Sequence, residues 1–245
     1  MNDVYLYPYS AEEARRRDEL SLWRASYQEN IACKIAIEEA VRRHYDGAHL
    51  DRDCLTGVLQ EFGYKRTAWV LANTIQQKEW DGRFSPRNRA WAGQTYIPLD
   101  QWHNLDFIVT THPAILDGVV DQYHAAYQRL ELFGPSHCEP DSFEKLDYEG
   151  KVLVLSPDTL KESCWSPQNQ LWYAHDGFGC SPTAIGRSVR CTCLGDGEMT
   201  RWNRADFIGV LKEEFLPAWA EEKLMELKGQ EQSGVSPAMG GMTME

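Results

Sequence analysis

Between Cys164 and Phe207 the chain alternates short β-type runs with Asp-Gly turns, and this pattern narrows the possible folds more than any other stretch. Leu171 to Ala174 is an aromatic run of strand type, ended by His175-Asp176-Gly177. Asp-Gly supplies residues that tolerate positive φ, which a tight turn requires. Ser188 to Leu194 reads as a second strand, with Val189, Cys191 and Cys193 on one face and Arg190 and Thr192 on the other, because side chains alternate along a strand. Gly195-Asp196-Gly197 makes another turn, and Met199 to Trp202 returns as a third strand. With Val152 to Leu155 upstream, these runs make a small sheet, mostly antiparallel.

The first hundred residues have a different period. Ser10 with Glu13 is a capping box that starts a helix. Leu20, Trp23, Tyr27, Ile31, Ile35 and Val41 then recur at helical steps to about Tyr45, as one long helix or as two with a break near Asp18. Asp51 to Phe62 and Lys65 to Lys78 read as two helices separated by Gly63, and Arg87 to Ala92 as a short last one. Leu105 to Val109 reads as a strand, and Pro113 opens a helix with a buried stripe from Ile115 to Leu130. Residues 136–150 read as a loop. A final helix is expected from Ala205 or Asp206 through Phe215, bent at Pro217. The expected fold class is therefore α+β: an all-helical domain over residues 1–100, then, over 101–228, a small sheet packed with helices. A disordered tail is expected over 229–245.

Charge is divided as sharply as periodicity. Of 25 Lys/Arg and 37 Asp/Glu, residues up to Asp100 hold 14 and 15, and residues from Gln101 hold 11 and 22. An acidic second half opposes binding to phosphate backbones and suits either a basic protein partner or simply solubility. Glu213, Glu214, Glu221 and Glu222, on the exposed side of the last helix, are the residues expected to meet it. No apolar run reaches the roughly 20 residues that cross a bilayer, so no membrane partner is expected. The start of the chain has no apolar signal segment, and seven cysteines without a disulfide framework suit a reducing cytoplasm.

Several constellations bear on chemistry. His175, Cys180, Cys191 and Cys193, with Cys164 in reserve, have ligand types that zinc accepts, but two small thiols on one strand face also suit a core. Cys180 with His175 is a candidate thiol and base, although neighbouring residues rarely point at one another. Neither set is assigned: no catalytic residue, no metal and no cofactor is expected. Trp165, Trp172, Arg201, Trp202 and Arg204 are the candidate lining of a binding groove, although the three tryptophans also suit the hydrophobic core of a small sheet. One alternative class is nucleic-acid binding by the helical pair Asp51–Lys78, which with Lys65, Arg66, Lys78, Arg83, Arg87 and Arg89 has the outline of a helix-turn-helix, and another is a small zinc- or cysteine-dependent enzyme at the Cys180 site.

GYKRTAWVLANTIQQKEWDGRFSPRNRAWA, Gly63 to Ala92, resembles a bacterial domain of unknown function found in mobile elements and phages of gut Firmicutes. WSPQNQLWYAHDGFGC and GRSVRCTCLGDGEMTRWNRADFIGVL are similar to a second uncharacterised family from such elements. Neither resemblance supplies a site residue. What they imply is context: an accessory protein of conjugative or phage-like DNA. Together with the acidic second half, that context suits a non-enzymatic protein that binds another protein, with inhibition of a host defence system as one specific form.

Overall fold

The computed structural model describes residues 4–100 and 102–232. The chain forms two compact units that divide between Arg129 and Leu130.

The first unit is helical. α1 (Ala11–Arg16) starts where the Ser10 hydroxyl accepts the Glu13 N–H at 3.3 Å. The chain breaks at Asp18, which has φ 58°, and resumes as α2 (Leu20–His44). α3 (Thr56–Gln77) is two helices joined at Gly63, whose φ of 77° and ψ of 172° only glycine adopts readily. α4 (Pro86–Gln94), α5 (His103–Asp106) and α6 (Pro113–Gln128) complete the unit. The α6 stripe of Leu116, Val119, Val120 and Tyr123 is buried in the same core as Ile37, Val70, Leu71 and Ile75. That packing is why the division falls after α6 and not near residue 100. The expected strand at Leu105–Val109 does not form. Val109 donates its N–H to Thr74 Oγ1 at 3.0 Å and accepts from Lys78 Nζ at 2.8 Å, so side chains of α3 satisfy the backbone that a strand partner would have satisfied.

The second unit holds a five-stranded antiparallel sheet in the order β4-β3-β2-β1-β5. β1 is Val152–Leu155, β2 Leu171–Asp176, β3 Ser188–Cys193, β4 Met199–Asn203 and β5 Phe207–Val210. Four of the strands stand where the alternation places them. β5 replaces the start of the expected last helix, pairing Phe207 with Leu155 and Val210 with Leu153. A cross-strand partner decided that stretch, where local pattern alone favoured a helix. Both faces are covered. Trp172, Ala174, Val189, Cys191 and Cys193 share one buried layer, closed by Tyr148 and Cys180. Val154, Leu171, Tyr173 and Leu194 form the other, closed by Ala220 and Leu227 of α9 (Ala218–Gln232). The segment after Gly134 contains two short helices, including α7 (Ser142–Lys145), and lies along β5: Glu139 N donates to Val210 O at 2.8 Å. α8 (Pro167–Gln170) precedes β2, and its Gln170 amide ties Phe133 to Leu155. The expected tail begins inside α9, and from residue 233 it lies outside the described residues.

Candidate functional site

The five residues expected to line one groove do not converge. Trp172 and Trp202 meet edge to face at 5.6 Å, as part of a buried layer. Trp165 stands apart, donating its indole N–H to Pro157 O at 2.8 Å. Arg201 is exposed on β4, on the opposite face from Trp202.

Arg204 is a structural residue. It is fully buried, and its guanidinium donates to five backbone carbonyls: Nε and Nη2 to Phe143, Nη1 to Gly179 and Cys180, and Nη2 to Ser142 and Leu146, at 2.8–3.1 Å. Its Cζ lies 3.6 Å from the Tyr148 ring centre, a cation–π contact. Carbonyl dipoles and a ring face replace the water that this charge gave up, and the side chain has no donor left for a partner.

The cysteine cluster is core. Cys180, Cys191 and Cys193 are buried, and desolvation pushes their thiols up to about 11, 12 and 11. An attacking or metal-binding sulfur needs the opposite shift. His175 bonds Thr192 Oγ1 at 2.7 Å, and among the described residues no group of three His, Cys, Asp or Glu is placed to hold a metal ion.

The helical pair is equally occupied. Arg66 is buried and donates to Ser26 O at 3.0 Å, Asn30 Oδ1 at 2.6 Å and Val4 O at 2.6 Å. Lys78 is committed to Val109 O, and Arg83 chelates Asp81. Half of the expected basic surface therefore serves the fold of the first unit. Leu71 is core as well, and Trp69 packs against it.

What does assemble is an acidic groove in the second unit, of about 1200 Å³. Glu213 and Glu214, on the turn before α9, and Glu221, in its first turn, reach the groove. Glu222 is exposed on α9 but does not line it. Glu139 and Asp147 join from the segment that follows Gly134, and the lining includes Leu146, Val152, Leu224 and Met225. Lys151, Lys212 and Lys228 also line it, and Lys212 Nζ is bonded to Ser136 O at 2.9 Å. Sequence reasoning missed Glu139 and Asp147 because they lie in a stretch without periodicity, and only the fold brings it against α9. No described helix is long and apolar enough to cross a membrane.

A family model described as "Protein of unknown function (DUF3849)" matches residues 6–128, which includes the Gly63–Ala92 motif. No similar curated protein and no similar solved structure was found for the chain. The match spans half of the sequence and nearly the whole of the helical unit, so the chain belongs to the DUF3849 family.

Proposed function

We propose that the protein acts without catalysis, by binding a protein that presents a basic, amphipathic segment to the acidic groove of the second unit. The observation that carries this reading is the combination, in one groove, of apolar lining at Leu146, Val152 and Leu224 with carboxylates from Glu139, Asp147, Glu213, Glu214 and Glu221. Apolar contact holds a docked segment, while the net negative charge of five carboxylates against Lys151, Lys212 and Lys228 accelerates encounter and favours the opposite charge. Residues from Leu130 onward carry 10 Lys/Arg against 19 Asp/Glu, so the groove sits in a unit with an acidic field of its own. The nucleic-acid reading has less support, because Arg66, Lys78 and Arg83 are spent inside the first unit. The mobile-element context that the two resemblances imply suits a host protein of the cytoplasm as the partner, with inhibition of a defence system as the specific form.

The test measures association of the full chain with an amphipathic Lys/Arg-rich peptide and with duplex DNA, at low and physiological salt. The peptide should bind, and its association should slow by about tenfold as salt screens the groove. The triple variant E213K/E214K/E221K should abolish binding and leave the circular dichroism spectrum unchanged. Preferential binding to DNA, unaffected by that variant and lost on neutralising the exposed Arg87 and Arg89, would replace this reading. Capture from host lysate with and without nuclease then identifies the partner.

A further inference from the structure

The first unit contains a recess that the groove reading does not use. Tyr7, Tyr9, Trp23, Tyr27 and Trp69 line it together with His103, so aromatic rings from the N-terminal segment, α2, α3 and α5 surround one small volume. Trp23 and Tyr27 stack at 5.0 Å with 10° between planes, and His103 stands edge-on to both. The space is about 30 Å³ for the centre of a water-sized guest, room for one head group and not for a cofactor-sized molecule.

The surrounding charge is negative and already hydrogen-bonded. Asp100, which lines the recess, accepts from His103 Nδ1 at 2.6 Å and from Ala11 N at 2.8 Å. Tyr7 donates its hydroxyl to Glu19 at 2.7 Å, and Tyr27 donates its own to Asp106. Phenols that donate to carboxylates present electron-rich ring faces, and such faces attract cations. One ring already carries a cation of the chain's own: the Arg17 guanidinium, paired with Glu13, lies 3.9 Å over the Tyr9 ring, which leaves Trp23, Tyr27 and Trp69 for a guest. The carboxylates best placed to accept N–H bonds from a primary ammonium are engaged, whereas a methylated ammonium needs only field and ring faces.

Residues next in sequence to the lining suggest what carries the head group. Leu99, between the lining residues Pro98 and Asp100, is 97% exposed, and Trp102, next to His103, is 79% exposed. Large apolar side chains left in water beside an aromatic recess flanked by carboxylates fit the apolar neighbours of a residue on a chain better than a free ion. We propose that this recess binds a methylated lysine on a peptide, with the ammonium among the rings and flanking apolar residues on Leu99 and Trp102. This site is independent of the acidic groove, since it lies in the other unit.

The experiment titrates the full chain with four probes: a short Leu-flanked peptide carrying trimethyl-lysine, the same peptide with lysine, the same with norleucine, and free tetramethylammonium. The indole N–H resonances of Trp23 and Trp69 report occupancy. The trimethyl-lysine peptide should shift both saturably, and bind about tenfold or more tighter than the norleucine peptide. Lysine should fall between them, and tetramethylammonium should bind more weakly than the trimethyl-lysine peptide for want of the contacts with Leu99 and Trp102. Trp23→Leu should remove the preference over norleucine. If that variant does not fold, the comparison of probes on the unaltered chain decides alone. Equal binding of norleucine and trimethyl-lysine, no saturable shift, or tetramethylammonium binding as tightly as the peptide would each overturn the proposal.

Discussion

Replacing Arg204 by lysine tests whether the second unit depends on one buried side chain. Arg204 serves five carbonyls from two segments, Ser142, Phe143 and Leu146 on one side and Gly179 and Cys180 on the other. A lysine keeps the charge but has three N–H donors on a single atom, so at least two of those carbonyls lose their partner. A buried polar group left unpaired costs about 1–3 kcal/mol. Two such groups give about 2–6 kcal/mol, a large share of the roughly 5–15 kcal/mol that holds a domain together. Urea unfolding followed by circular dichroism should show a midpoint lowered by on the order of 2 M, from a slope of about 1–3 kcal/mol per molar. Hydrogen exchange should speed up first at the amides of residues 142–148 and 178–180. Arg201→Lys on the exposed edge strand is the control and should stay within about 0.5 kcal/mol of the unaltered protein. If R204K and R201K unfold at the same urea concentration, the carbonyl cage contributes nothing and the reasoning fails.

Three further outcomes are expected. Gly63→Ala forces a side chain into a backbone conformation with φ 77° and should cost about 1–3 kcal/mol, and an unchanged thermal midpoint would refute the strain. In the native chain Ellman's reagent should modify Cys164 alone at neutral pH. The other six thiols are buried and raised to about 11 or 12, so rapid reaction surviving C164S would contradict that burial. Hydrogen bonding from Arg83 holds the Asp81 carboxylate down at about 2, below its ordinary 3.8. The unfolded chain therefore binds this proton first, and the stability it brings is lost as pH falls from about 4 to about 2. D81N should flatten that part of the stability profile, and parallel profiles for the two proteins would refute the linkage.

The local elements were legible in the sequence because their physics is local. Ser10, Asp18 and Gly63 start, break and kink helices through their own backbone and side-chain chemistry. Val189, Cys191 and Cys193 share a face because a strand has a period of two. The excess of acid after residue 100 is a matter of counting. Other features needed partners distant in the chain. Phe207 to Val210 became a strand because β1 lay open beside it, and Leu105 to Val109 failed to become one because Thr74 and Lys78 reached its backbone first. Arg204 and Arg66 read as surface cations until the fold surrounded them with carbonyls, since composition does not record whether a charge has exchanged water for dipoles. The groove and the aromatic recess were likewise beyond reach: Glu139 and Glu221, or Tyr7 and His103, become neighbours only when the tertiary structure brings them together.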